Sequence, residues 1–492
     1  MLDFLKSLLY NQNYPLIYHS VLFIILFTVF YGVYLIFSPK VKIRNALLLA
    51  FSLFFYYKIS GMYVLLLVAV AGSDFLIGRL IGNATSHQSK KSLMILSVLI
   101  DLGILVFFKY TNFFLTGIFG VLHQPAPWML DLIMPVGISY FIFKTLTYTL
   151  DLYRENIEKP EKSFWNYLLY LSFFPNIISG PISRASDLLP QFAAPSAFNR
   201  DMIGKGLFLI ITGVFKKICV ADVLAVNLVD RVFESPEYFN GFEVLMAGYA
   251  YTVQLYFDFS GYTDIVIGLA LLLGITVLPN FDKPFLAQNI TDFWRRWHIT
   301  LSSWLRDYLF TPLSLNLRNA GTTGLVIAIL ITFILCGFWH EAKMTFIVWG
   351  ALHALAMAWD IVTHKRRAKF KKKYKSPAYK IFSIIITFHF LVLTFIVFRA
   401  RDLETAWYII RKIFTTTDFG LAPQWASLYI YPLMVMIIGL LLHYSPIKWN
   451  YKLREFFVST HWTVKACVLA LAIVAIYQAF STEAQAFIYL DF

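Results

Sequence analysis

Apolar residues in this chain gather in long runs rather than alternating with polar ones. Most approach 20 residues, the length that carries an α-helix across a hydrocarbon core about 30 Å thick. Such runs fall near residues 16–37, 43–57, 62–81, 93–108, 128–150, 164–178, 202–220, 242–257, 265–278, 324–339, 344–361, 379–398, 428–442 and 464–480. Several are too short to cross alone, which predicts tilted, re-entrant or bundle-buried segments among them. The polar stretches between them, such as 82–91, 154–163, 183–201, 279–304 and 365–376, are too short for a soluble domain. The pattern predicts an all-α, polytopic membrane protein of one domain, residues 1–492. No fixed-period repeat appears, nor a matched pair of Pro/Gly-broken segments of the kind many transporters carry.

Composition agrees. Hydrophobic residues make up 59% of the 492 and charged residues 14%, against about 25% charged in a soluble globular chain. The first apolar run is too long for a cleavable signal and lacks a small-residue cleavage pattern. Cys219, Cys336 and Cys467 all fall inside apolar runs, which reads as small buried side chains rather than a disulfide framework or a metal site.

The placement of charge matters more than the net +14. Residues 365–375 hold eight Lys/Arg and no acid. In so apolar a chain, the positive-inside bias explains this cluster better than nucleic acid does, and the segment is suited to anionic lipid. Smaller basic groups at 40–44, 90–91, 216–217 and 448–454 are expected on the same, cytoplasmic side. With 365–375 cytoplasmic, the run 344–361 enters from the far side, and His340 falls at the far end of a hairpin. His298 starts from the cytoplasmic side.

Residues 292–308, DFWRRWHITLSSWLRDY, are too polar to span and too aromatic for an ordinary loop. On one helix, Trp294, Trp297, Leu301, Trp304 and Tyr308 share a face, with Arg295, Ser302 and Arg306 as a neighbouring stripe. His298 lands between them. A Trp-rich face beside arginines suits a helix lying in the membrane interface. An anchor helix and a functional one remain equally open on geometry. An ionisable group at membrane depth is costly and is by default a functional candidate, which singles out His298 and His340. Helix–helix hydrogen bonding is the plain alternative for each.

The motif wording goes further. The segments PVGISYFIFKTLTYTLDLYR (135–154), FFPNIISGPISR (173–184), GVFKKICVAD (213–222), QLYFDFSGYTDIVIGLALLLG (254–274), the 292–308 segment, CGFWHEAKMTFIVWGALHA (336–354) and FRARDLETA (398–406) occur in family order. Together they resemble the membrane-bound O-acyltransferase (MBOAT) superfamily, in the branch of the alginate O-acetyltransferase membrane subunit. The resemblance implies a ring of tilted helices around an intramembrane tunnel, in a bacterial inner membrane. It matches the family's near-invariant histidine to His340 and its second polar site to His298. The branch usually has Gly after that histidine. Here Glu341 follows, a carboxylate that either orients the imidazole or narrows the acceptor entrance. His353 reads as packing, or as a residue that supports those touching the substrate.

The residue types fit O-acylation from a thioester. A neutral imidazole, with an ordinary pKa of about 6.5, can take the hydroxyl proton, a gain of roughly 10²–10⁴-fold. His340 is the expected base, and His298 is expected to hold the thioester carbonyl or orient the second substrate. Substrate contacts are expected from Trp294, Trp297, Trp339, Asp258 and Tyr262. Arg295, Arg296 and Arg306 are expected to receive coenzyme A phosphates. For the arginines, interface anchoring is the competing reading; for Asp258, Tyr262 and Asp264 it is helix–helix bonding. Asp151 and Arg154 are expected to set a helix terminus. Cys336 beside His340 invites an acyl-cysteine intermediate, but reads better as a buried inert thiol. The implied donor is acetyl-CoA, with no metal. The implied acceptor is an envelope polysaccharide or an SGNH-type partner protein, since nothing here resembles that esterase-like domain. D-alanyl transfer to teichoic acid and a non-catalytic transporter or flippase are the alternatives.

Overall fold

The computed structural model describes residues 8–480, apart from 13, 14, 19, 123–128, 132, 196–198 and 375. Trp128, which opened one expected span, and Lys375 of the basic segment lie outside the described residues. Among those described, every regular element is a helix and none is a strand. Six helical stretches are long and apolar enough to cross a bilayer, and two bent pairs bring the number to as many as eight. The bends are sharp: 96° between Phe419–Leu428 and Ile430–Tyr444, and 115° between Ile447–Ser459 and Trp462–Val474. The chain is an all-α polytopic membrane protein.

Its axis is the 32-residue helix Gly241–Leu272. Asn240 caps it, accepting from the Phe242 and Glu243 amides at 2.8 and 3.1 Å, while the Glu243 carboxylate accepts from the Asn240 amide at 2.9 Å. Together these bonds satisfy three amides that have no partner within the helix. The helix overturns the expectation of two separate runs at 242–257 and 265–278. The polar stretch between them stays helical because its charges are paired rather than solvated. Lys217 meets Asp258 at 2.7 Å and Asp222 at 2.8 Å, and Lys216 meets Asp264 at 2.6 Å.

A second correction concerns 164–178. The helix there covers only Phe164–Ser172, and the chain continues through buried turns. Irregular backbone at depth is tolerated where protein satisfies its polar groups. Lys144, buried on the helix Ile138–Tyr153, donates its ammonium to the carbonyls of Tyr170 and Leu171 and to Asn176 Oδ1. Arg154 caps that helix as expected, and Asp151 in its last turn accepts from Tyr308 Oη at 2.8 Å. The cysteines divide: Cys336 is buried, but Cys219 and Cys467 are exposed, so the expectation of three buried thiols holds for one.

The helices Gly321–His340 and Met344–Lys373 form the expected hairpin. They touch backbone to backbone. A Cβ on Gly337 would collide with the Phe346 carbonyl, and one on Gly350 with the Phe333 carbonyl. Small residues at a crossing let membrane helices approach this closely. At 1.5 Å per residue, the second helix is about 45 Å long. It sets His340 and the basic segment at opposite ends.

Candidate active site

Residues 292–308 are not one helix. A short helix, Ile290–Trp294, ends, and a new one, Ile299–Leu305, begins after His298, whose φ of 44° is left-handed. The break is held from outside. The loop at 280–282 pairs with it: Asp282 N donates to Arg296 O and Ile299 N to Asn280 O, both at 2.9 Å. The Asn280 carboxamide accepts from Thr300 N at 3.1 Å and Thr300 Oγ1 at 2.6 Å. This left-handed turn re-aims one side chain inward. His298 is fully buried, its ring edge-on to Phe259 at 4.8 Å.

The tryptophans correct the reading of an interfacial face. Trp294 and Trp297 are 4% and 3% exposed and belong to the interior. Trp297 sits among Phe281, Phe293 and Phe395 at 5.1–5.6 Å. Trp294 Nε1 donates to His353 Nδ1 at 3.2 Å. The His353 ring also lies 4.8 Å from Trp349.

His340 ends its helix. Its ring lies 4.9 Å from Trp339, 5.3 Å from Trp349 and 5.7 Å from Phe398. It is 4% exposed. Although 298 and 340 are 42 residues apart in the chain, the fold brings them within electrostatic range of each other; Lys109 is the other ionisable group that reaches His340 in this way. Trp339 stacks on Phe143 at 4.9 Å, and Phe143 on Trp304 at 4.0 Å. Glu341 pairs with Lys343 at 2.6 Å, so its charge is engaged outward along the loop. Cys336 is fully buried on the same helix.

The arginines divide. Arg295 and Arg296 line a cavity of about 560 Å³ together with Asp292, Asp360, His364 and Arg367. This places them beside the basic segment, at the end of the long helix remote from His340. Arg306 is elsewhere, exposed and bonded to Asp307, which Arg184 also clasps. Burial would raise the Asp307 carboxyl, but hydrogen bonds from Arg306 and Arg184 outweigh it and hold the group below its ordinary value. Asp258 and Tyr262 join helices: the first meets Lys217, and the second accepts from the Ser179 amide at 3.3 Å. These bonds show which partners the two side chains have in the fold.

Two residues at the His340 end went unnoticed in the sequence. Lys109, in a widened turn at Val106–Tyr110, donates to the His340 carbonyl at 2.9 Å and lies 5.7 Å over the Trp339 ring. A cation at a helix C-terminus meets carbonyls that have no partner within the helix. A lone lysine in an apolar run was a legible signal; its partner was not. Tyr140, in the first turn of Ile138–Tyr153, sits edge-on to Trp339 at 5.7 Å.

The helical membrane bundle thus holds two buried histidines within electrostatic range of each other, with an arginine-lined cavity at the end remote from His340. Residues 83–400 match the model of MBOAT, the membrane-bound O-acyltransferase family, and the chain belongs to that family; it is an acyltransferase. It is 35% identical to the peptidoglycan O-acetyltransferase of Helicobacter pylori over 387 residues, 73% of this chain and 72% of that one. It is 31% identical to the probable alginate O-acetylase AlgI of Pseudomonas putida over 503 residues, covering 97% of this chain and 100% of that one. It is also similar to the teichoic acid D-alanyltransferase of Bacillus subtilis, 30% identical over 297 residues, 58% of this chain.

Proposed function

We propose that this protein takes an acetyl group from cytosolic acetyl-CoA and passes it across a bacterial inner membrane. The recipient is a hydroxyl of a cell-envelope polysaccharide, or an SGNH-type partner protein that completes the transfer. The observation that carries this is that His298, from a left-handed turn, and His340, from a helix end, are both buried and within electrostatic range of each other. Coenzyme A phosphates are received by Arg295 and Arg296 in the cavity beside the basic segment, since arginine pairs well with phosphate. The thioester reaches inward toward the imidazoles. His340 takes the acceptor hydroxyl's proton as its oxygen bonds to the thioester carbon. The tetrahedral intermediate collapses by breaking the C–S bond, and the imidazolium returns its proton to the leaving thiolate. His298 holds the carbonyl or orients the hydroxyl. A water-poor, aromatic surround strengthens these contacts and limits hydrolysis of the donor.

Relatives named for acetylation align over most of this chain, and that named for D-alanylation over little more than half. This favours acetyl over D-alanyl. The test is acetate released by mild alkali from the envelope of cells carrying the wild type, His340→Ala or His298→Ala. Loss of envelope acetate in both variants is expected. Unchanged acetate at normal protein levels would sink the assignment.

A further inference from the structure

Trp339 and Trp349, which border the His340 ring, and Tyr140, which borders Trp339, each carry a buried donor. Trp339 Nε1, Trp349 Nε1 and Tyr140 Oη are buried and have no hydrogen-bond partner among the described residues. The residues are 8%, 2% and 6% exposed. Buried donors are rarely left unmet, and an unmet one calls for an explanation. Other buried donors without a partner occur among the described residues, such as Tyr56 Oη, Tyr167 Oη and Trp425 Nε1, but Trp339 and Trp349 both border the His340 ring. Trp339 and Tyr140 adjoin each other, and the Lys109 ammonium over the Trp339 face draws electron density from the indole, which makes its N–H a stronger donor.

Resting on the proposed acyl transfer, we infer that the Trp339 indole N–H and the Tyr140 hydroxyl form the oxyanion site, both donating to the thioester carbonyl oxygen. The chemistry selects that oxygen. The acceptor hydroxyl gives its proton to His340, so it needs an acceptor and not another donor. The carbonyl oxygen gains a full negative charge as the C=O π pair moves onto it, and it returns that pair when the C–S bond breaks. Donors fixed in a dry site ahead of that charge stabilise it without reorganising. His298 is then left to orient the hydroxyl.

The experiment uses inverted membrane vesicles carrying the full chain, with radiolabelled acetyl-CoA as donor and label in envelope polymer as the readout. The variants are Tyr140→Phe and Trp339→benzothienylalanine, an isostere that replaces N–H by sulfur and keeps the stacking surface. Each is expected to lower the maximal rate roughly 10²-fold with the apparent KM for acetyl-CoA within a few-fold, as for loss of one oxyanion donor. Thermal stability should be unchanged or raised, because a donor without a protein partner leaves nothing behind when removed. A wild-type maximal rate in either variant, or a loss seen only in KM, overturns the pair's assignment. His340→Ala separates the two levels: if it still incorporates label at the wild-type rate, the transferase reading itself fails.

Discussion

Two polar clusters at membrane depth solve the same problem in opposite ways. Around Lys217 the charges close on one another: the ammonium meets Asp258 and Asp222, and Lys216 meets Asp264. Around His340 the polar groups are walled by Trp339, Trp349 and Phe398, and three buried donors have no hydrogen-bond partner among the described residues. Paired charges bind helices together. Trp339 and Tyr140 are the donors we assign to the substrate. The sequence marks both clusters as ionisable residues in apolar runs, and only the partners tell them apart.

The difference can be broken by substitution. His340→Ala should abolish transfer, by about 10³-fold or more if it removes both base and proton donor, with normal protein levels, read as label incorporated per unit of protein. Lys217→Met should do the reverse. It leaves buried carboxylates uncompensated, a cost of about 3–5 kcal/mol, so abundance and thermal midpoint should fall while the rate per folded molecule holds.

How much of this was legible depends on the distance of the deciding contact. His340 and Trp339 stand out in the sequence because a histidine at the end of an apolar run is rare, and the hairpin around them follows from charge on either side. The break at His298 is hidden. Its aromatic spacing is helical, and the backbone turns left-handed only because Asn280 and Asp282, more than ten residues upstream, bond the far side of the break. The same holds for 164–178, where an apolar run fails to span because Lys144, on another helix, satisfies its carbonyls. For Asp258 the sequence leaves substrate contact and helix–helix bonding both open, and its pairing with Lys217, 41 residues away, is visible only in the fold.

Smaller effects sharpen the comparison. Lys109→Met should lower the rate about tenfold with little change in acetyl-CoA KM, since it frees the carbonyl end of the His340 helix without touching the donor cavity; in rate terms that is about 1.4 kcal/mol. Lys109→Arg should restore part of it. A rate unchanged in Lys109→Met would show that the lysine only fills space. Smallest is the half-buried Arg184–Asp307 pair. Asp307 is held below its ordinary value, so its pairing contributes fully above the unfolded value of about 3.9 and is lost as pH falls through the lower folded one. Arg184→Gln should therefore cost under about 1 kcal/mol at neutral pH, and nothing once acid has protonated Asp307. Thermal unfolding of both proteins, followed from pH 7 downward, checks it: the difference should shrink only below the ordinary carboxylate range.

The meeting of two imidazoles at one thioester is tested most directly by a structure of the protein with a ketone analogue of acetyl-CoA that cannot be cleaved. The expected result is density running from Arg295 and Arg296 inward, ending with the carbonyl carbon between the rings of His298 and His340. An analogue bound elsewhere, or a carbonyl beyond the reach of both rings, would contradict it.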